Sequence, residues 1–304
     1  MTEERNFRTC YYEKFGFLGV EEKKSIEILL KEQPLDVEKL RIFCLRFPVP
    51  AMYRLYLWKI LLGILPANQP SHDFVMKQRT QQFDDCHRGL MLMRRISKQT
   101  PLEEVLLKMH LLEKGILPFE DKDLQTDPSY RSFLAMAHGV CSIVDGDVDR
   151  YWITSRFYRQ FWKYRDTFLH LQAKTLQCLK KEDSDQKLYN HLQQHNVISC
   201  LPLIDWFSCC FTGVLPDTSF ERIWDKVIGG SCVFLAFVAV AIFLTFRRPL
   251  LSMHSSEEML AYLKNIPDDC GDRLVSEAID LWQKHGGHLV QTKSDSPNFD
   301  KLPT

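Results

Sequence analysis

An uncharged stretch of twenty residues, 227–246, constrains the fold of this chain more than any other feature. Ser231 is a good N-cap residue, so we expect the helix to run from Cys232 to Phe246, about 22 Å at 1.5 Å per residue. The hydrocarbon core of a bilayer is about 30 Å thick. A helix that is apolar on all sides either crosses a membrane or lies at the centre of a large helical bundle, and this length favours a buried central helix. A membrane span at residues 227–246 stays open as the alternative.

The rest of the chain has the apolar spacing of amphipathic helices, without a convincing run of the alternation that is typical of strands. One stripe of this kind consists of Leu40, Phe43, Cys44 and Phe47. We therefore predict a single all-α domain of a dozen or more helices over residues 36–288. We expect a helical extension packed on this domain over residues 1–35, and a disordered polar tail over residues 289–304.

The charge balance gives no sign of two classes of partner. Lysine plus arginine and aspartate plus glutamate each number 39, and no block of basic residues occurs. The sequence therefore predicts no electrostatic footprint for nucleic acid or for acidic membranes. The ten cysteines are scattered without a C-x-x-C pair, and residues 1–7 are polar, so we expect a reduced, cytosolic protein without a signal peptide.

Few patterns point to a cofactor or a metal. No glycine-rich phosphate-binding loop occurs in the sequence, so we expect no nucleotide cofactor. His191 and His195 have a spacing that can hold zinc on one helix face, but the sequence offers no obvious third ligand beside them. We predict two surface histidines and no metal site.

Three stretches, taken in order, resemble the TBC domain of Rab GTPase-activating proteins. The first has an R-x-x-x-W pattern after a proline-bearing turn, the second combines W-F, F, L-P and R-x-W-D, and the third is the uncharged stretch 227–246. The resemblance implies a TBC domain over residues 36–288, in which these motif residues are largely structural. Arg54 and Trp58 are one helical turn apart, so we expect the guanidinium to lie along the indole and to bond nearby carbonyl groups. The motif residues are Arg54, Trp58, Gly63, Trp206, Phe211, Pro216, Arg222, Trp224 and Asp225.

By the same resemblance, an active TBC domain uses an arginine finger from an I-x-x-D-x-x-R motif and a glutamine finger from a Y-x-Q-G motif. The arginine offsets charge that develops on the transferred phosphoryl group, and the glutamine orients the attacking water. Asp85 and Arg88 match the first motif, although Gln82 stands where an apolar residue is expected. Lys114 takes the glutamine position within residues 112–115, and an ammonium group cannot both donate to a water and accept from it. We therefore predict that the catalytic pair is lost.

Further short stretches are similar to one branch of that family, the small subunits of the tuberous sclerosis complex. They are residues 11–14, 19–25, 151–154 and 280–282. This likeness implies a non-catalytic scaffold that binds the C-terminal coiled coil of hamartin and meets tuberin through the complex. It also implies support of GTPase activation on Rheb, negative regulation of TOR signalling, and recruitment of a cytoplasmic protein to lysosomal or other vesicle membranes through its partners. The alternative is an active Rab GTPase-activating protein that uses Arg88.

One apolar stripe is a candidate contact surface for such a coiled coil. A helix that docks in a groove needs exposed apolar positions spaced as on one helix face, and in active family members this segment is beside the catalytic groove. Ordinary core packing explains the same spacing, so both interpretations stay open. The stripe consists of Leu102, Val105, Leu106 and Met109.

Overall fold

The computed structural model of the chain describes residues 20–121, 124 and 127–285. Within those ranges α-helices are joined by turns and short 3-10 segments, and no β-strand occurs, so the all-α prediction is confirmed. The predicted tail and residues 1–19 of the predicted extension lie outside the described residues. In chain order the helices are α1 (Val20–Leu29), α2 (Val37–Arg46), α3 (Ala51–Leu61), α4 (His72–Leu92), α5 (Leu102–Glu113), α6 (Pro128–Ile143), α7 (Asp147–Phe161), α8 (Phe168–Glu182), α9 (Lys187–Gln194), α10 (Val197–Cys200), α11 (Leu203–Ser208), α12 (Asp217–Ile228), α13 (Phe234–Thr245), α14 (Arg247–Ser252), α15 (Ser256–Lys264) and α16 (Gly271–Lys284).

Helix α13 forms the centre of the domain. Residues 234–243 are all buried, each with at most 1% of its surface exposed, because α13 packs against α8, α12 and α16. The predicted buried central helix is therefore confirmed. Among the described residues, no helix has both the length and the apolar character that a membrane span requires.

The central helix begins two residues later than predicted, because the preceding turn completes α12. Gly230 has a φ of 111°, a conformation that glycine adopts without steric cost. The backbone N–H of Ser231 donates to the carbonyl oxygen of Lys226 at 3.0 Å. Ser231 therefore closes α12 instead of capping the next helix, and α13 begins at Phe234 with Val233 as its N-cap.

Two groups of helices position the residues that the sequence singled out. In the first group α2 and α3 pack against α12, and in the second α4, α5, α6 and α7 pack against one another. Leu40, Phe43 and Cys44 of the α2 stripe are buried, as predicted, but Phe47 follows the end of the helix and is exposed. The α2 helix ends there because Pro48 disfavours helical geometry in the residue before it.

Candidate functional site

The R-x-x-x-W and W-D motifs meet at one buried carboxylate, and we call Arg54, Trp58 and Asp225 the Asp225 network. Arg54 Nε lies 3.2 Å from both carboxylate oxygens of Asp225, a partner 171 residues away in the sequence. Trp58 Nε1 donates to Asp225 Oδ1 at 2.9 Å. Arg54 also bonds the carboxylate of Glu221, and its Nη2 donates to the carbonyl oxygen of Val49 at 3.1 Å. The predicted hydrogen bond from Arg54 to a nearby carbonyl oxygen is thus present. The guanidinium pairs with Asp225 instead of lying along the Trp58 indole as expected.

Burial sets the electrostatics of the Asp225 network. It raises the pKa of the Asp225 carboxyl to about 6, although Arg54 and Trp58 oppose the shift. Burial likewise lowers the pKa of the neighbouring Lys226 to about 8. Lys226 Nζ donates to the carbonyl oxygens of Cys44 at 2.7 Å and Phe47 at 2.8 Å. These bonds fasten the C-terminal end of α2 to α12, so the two residues together join three helices.

Trp224 is the apolar counterpart of this network. Its Nε1 donates to the carbonyl oxygen of Cys210 at 3.1 Å, and its ring centroid lies 4.9 Å from that of Phe157 and 6.0 Å from that of Trp58. Gly139 of α6 leaves room for this ring, because an added Cβ would lie 2.8 Å from Trp224 Cη2. The W-D pair therefore organises both the polar and the apolar contacts of α12.

The remaining motif residues also pack against the core or form turns and helix ends. Trp206 packs on Phe211 and on Phe243 of α13, with ring centroids 6.0 and 6.2 Å apart. Gly63 has a φ of 68° in the turn after α3, and Pro216 is the N-cap of α12. Arg222 lies near the surface and approaches Asp272 at 3.6 Å. Nothing in this set is arranged for chemistry.

We call Arg88 and Lys114, with their immediate neighbours, the finger region. Arg88 is 69% exposed and pairs at 3.3 Å with Asp85 of its own helix. Gln82, three residues before Asp85, is exposed as well, so the three matched positions of the first motif face solvent. The helix is anchored by the residue after Gln82: Phe83 packs on Tyr151 with ring centroids 5.9 Å apart.

The second half of the finger region lies at the end of α5. Lys114 is the C-cap of α5, and Gly115 follows with a φ of 69°. Helix α4 passes beside the end of α5: a methyl group added at Gly89 of α4 would lie 3.8 Å from Leu112 Cδ2. The fold therefore brings the two finger segments side by side. Partial burial and the nearby Arg159 lower the pKa of Lys114.

The apolar stripe that we considered as a partner surface belongs to the core. Val105 is 6% exposed, and Leu106 and Met109 are completely buried. Leu102, at the start of α5, is partly buried against the same core. Helix α5 packs against α4, α6 and α7, and this accounts for the stripe. The partner-surface interpretation of these four residues is corrected accordingly.

The histidine pair acquires a third member that the sequence did not suggest. His254 lies close to both, its ring centroid 6.2 Å from that of His191 and 6.4 Å from that of His195. His191 Nε2 is already within hydrogen-bond distance of the carbonyl oxygen of Met253, at 2.8 Å. In the described part of the chain, no three histidine, cysteine or acidic side chains are placed to hold a metal ion.

In sequence, the chain matches one domain family and several full-length relatives. The Rab-GTPase-TBC domain family (RabGAP-TBC) matches residues 141–251. The Bos taurus protein named TBC1 domain family member 7 is 49% identical, over 96% of this chain and 100% of its own length. The Homo sapiens protein of the same name is 48% identical over the same shares, and the Danio rerio one is 45% identical over 93% of this chain and 96% of its own.

Two solved structures resemble the chain at much lower identity. The Ypt/Rab-GAP domain of Gyp1p aligns with a TM-score of 0.59 at 16% identity, covering 88% of this chain and 99% of that domain. The Chlamydomonas flagellar RabGAP TBC domain aligns with a TM-score of 0.54 at 14% identity, covering 90% of this chain and 95% of that one. At these identities the likeness concerns the fold alone.

Proposed function

We propose that this chain, which belongs to the TBC-domain (Rab-GTPase-TBC) family, is a non-catalytic scaffold subunit rather than a working GTPase-activating protein. The observation that carries the proposal is the residue at the glutamine position. Lys114 has an ammonium group, which donates hydrogen bonds and accepts none. An attacking water needs an acceptor as well as a donor beside it, so Lys114 does not substitute for a glutamine.

The surroundings of Arg88 support the same proposal. A catalytic cation acts efficiently when it is held in advance where charge will develop. Among the described residues, Arg88 has one ion-pair partner, Asp85, at 3.3 Å, and exposed pairs of this kind contribute little order or stability. The first finger is therefore present but not preorganised.

We infer that the partners are the hamartin C-terminal coiled coil and, through the complex, tuberin. The support is the likeness of residues 151–154 and 280–282, among others, to small subunits of the tuberous sclerosis complex. In this role the chain stabilises the assembly, supports GTPase activation of Rheb by tuberin, and contributes to negative regulation of TOR signalling. It is then a cytoplasmic protein that reaches lysosomal or other vesicle membranes through its partners.

The N-terminal edge of the domain is the surface we propose for the coiled coil, since the α5 stripe is buried. Three large apolar side chains are exposed there on the consecutive packed helices α1, α2 and α3, and a fourth is exposed directly after α2. An apolar helix face docks on exposed apolar side chains of this kind. The four residues are Ile28, Ile42, Phe47 and Met52.

Co-purification with a hamartin C-terminal coiled-coil fragment tests this proposal. We expect the wild-type chain to be retained by the fragment and an Ile42→Asp, Met52→Asp variant to be released. A matched control is Leu169→Asp, which places the same charge on an exposed apolar residue of α8. Failure of the wild-type chain to bind the fragment would contradict the scaffold proposal. Retention of the double variant would move the surface elsewhere.

The alternative function is an active Rab GTPase-activating protein, and one observation favours it. Gly89, which follows Arg88 in sequence, lies beside Leu112, so the segments that carry Arg88 and Lys114 are adjacent. This alternative predicts that the chain accelerates GTP hydrolysis by a Rab and that the Arg88→Ala substitution abolishes the acceleration.

A further inference from the structure

Four cations from separate segments gather beside the finger region, and we call them the basic cluster. Arg79 lies on α4, Lys114 ends α5, and Arg156 and Arg159 lie on α7. Within the part of the chain that the structure describes, no carboxylate oxygen lies within 4.0 Å of any of their charged nitrogens. A positive surface without matching acids is a site for an anion.

An indole fixes two members of the basic cluster. Arg79 Cζ lies 4.3 Å from the ring centroid of Trp152, and Arg156 Cζ lies 5.5 Å from it. Trp152 is completely buried, and its Nε1 donates to the carbonyl oxygen of Arg79 at 3.1 Å. Arg156 Nε is buried without a hydrogen-bond partner. Both guanidiniums are thus positioned by cation–π contact. The two residues are partly exposed, so they add positive charge beside the exposed Lys114 and Arg159, although Arg156 Nε itself is not accessible to an anion.

The members of the cluster are near enough to influence one another. After burial, the nearby Arg156 is the largest cause that lowers the pKa of Arg79, and Arg159 acts in the same way on Lys114. Glu113 is the carboxylate that acts against them, and its Oε2 accepts the Tyr151 hydroxyl at 2.6 Å. Four positive charges against one negative charge leave the surface positive.

Large apolar side chains are exposed on the segments that follow Arg88 and Lys114. Ile116 follows Lys114 by two residues, and Leu92 lies one helical turn beyond Arg88; both are exposed. Phe119 is 100% exposed. Arg95 holds this loop against the end of α4, because its Nη1 donates to the carbonyl oxygens of Pro118 and Phe119, both at 2.8 Å. We call Leu92, Ile116 and Phe119 the apolar tip.

We propose that the basic cluster and the apolar tip together bind the surface of an anionic phospholipid membrane. The cations attract headgroup phosphates, and the apolar tip enters the boundary between headgroups and acyl chains. A membrane matches both parts of this surface, because its anionic headgroups complement the cations and its headgroup boundary accepts exposed apolar side chains. The contact is peripheral, and it acts in addition to any recruitment through partner proteins.

Vesicle sedimentation with the full chain tests this inference. We expect the wild-type chain to sediment with vesicles of phosphatidylcholine and phosphatidylserine and to stay in solution with phosphatidylcholine alone. Lys114→Gln, Arg159→Gln should weaken the partition by roughly thirtyfold, and Ile116→Ser, Phe119→Ser should weaken it on the same vesicles. All four side chains are exposed, so both double variants should keep the wild-type melting temperature.

The matched control removes two positive charges elsewhere. Lys264 on α15 and Arg273 on α16 are exposed, and Lys264→Gln, Arg273→Gln should sediment as the wild-type chain does. Equal sedimentation of the basic-cluster variant and this control would overturn the inference, as would a wild-type chain that ignores phosphatidylserine. It would also be overturned if the apolar-tip variant lost the hamartin fragment and kept the vesicles, since the tip would then be a protein interface. Loss of vesicle binding alone leaves the scaffold proposal intact.

Discussion

The Asp225 network and the finger region are both built from charged residues, but their surroundings differ in every respect. In the network, Asp225 is buried and Arg54 is largely buried, and each meets a partner from a distant segment. In the finger region, as far as the described residues go, Arg88 pairs with Asp85 of its own helix alone, and Lys114 has no carboxylate within 4.0 Å. A buried pair is costly to break, whereas exposed residues can change with little effect on folding. The comparison indicates why a TBC fold can persist when residues of the finger region change.

The largest loss of stability is expected from a substitution that breaks the Asp225 network. Asp225→Ala leaves the Arg54 guanidinium largely buried with Glu221 as its remaining acid, and we expect unfolding to become easier by about 4 kcal/mol. Denaturant unfolding followed by circular dichroism measures this change. Asp225→Asn, which keeps the shape and one acceptor oxygen, should cost less. A loss below about 1 kcal/mol for the alanine variant would mean that the network does not join the motifs as described.

Alanine substitutions at two helical glycines, Gly139 beside Trp224 and Gly89 in the finger region, should have opposite effects on stability. At Gly139 an added Cβ would lie 2.8 Å from Trp224 Cη2 and 3.0 Å from Thr212 Cγ2, whereas at Gly89 the nearest atom, Leu112 Cδ2, lies 3.8 Å away. Gly139→Ala should therefore destabilise the protein by about 2 kcal/mol through overpacking. Gly89→Ala, also inside a helix, should stabilise it by roughly 0.5 kcal/mol. Thermal unfolding of both variants measures the contrast, and equal shifts would contradict it.

The pH dependence of stability gives a smaller effect. Burial raises the pKa of Asp225 to about 6 from its ordinary 3.8, so the folded state holds this proton more tightly than the unfolded state. Stability should therefore increase as pH falls from about 7 to about 5, by about 1 kcal/mol relative to Asp225→Asn, and decrease again as pH rises through about 6. Denaturant unfolding of both proteins at the two pH values measures the difference. Identical pH responses would indicate that Asp225 does not titrate in this window.

The smallest effect is expected in the finger region. Arg88→Ala removes an exposed i, i+3 pair, and we expect the free energy of unfolding to change by less than about 0.5 kcal/mol. Differential scanning calorimetry can compare this variant with the wild-type chain. A loss above about 1 kcal/mol would show that Arg88 is a structural residue, and the contrast between the two regions would then fail.

Local signals in the sequence predicted much of the fold. Residues 227–246 contain no charge, so a central helix follows from burial alone, and α13 confirms it. The predicted start of α13 was wrong because Ser231 can either cap the next helix or close α12, and only the geometry of the glycine turn before it decides between the two. The burial of Val105 and Met109 likewise could not be decided from spacing, since a stripe that faces a core and a stripe that faces a partner have the same period.

Contacts between distant segments account for most of what the sequence did not predict. Nothing local indicates that Arg54 meets Asp225, and the indole beside it in sequence was the more obvious partner. His254 joins His191 by the same kind of long-range packing. The basic cluster was missed because its cations come from α4, α5 and α7, so a search for a continuous basic block finds nothing. Pairing of charges in space, and not their order along the chain, decides which surfaces remain positive.

Single-turnover GTP hydrolysis tests the central claim most directly, with a panel of Rab proteins and Rheb mixed with excess wild-type chain or with its Arg88→Ala variant. The scaffold account predicts that neither protein accelerates hydrolysis on any GTPase of the panel. A working arginine finger would raise the rate by a factor on the order of 10³ or more. Acceleration by the wild-type chain that disappears with Arg88→Ala would contradict the account and make this chain an active GTPase-activating protein.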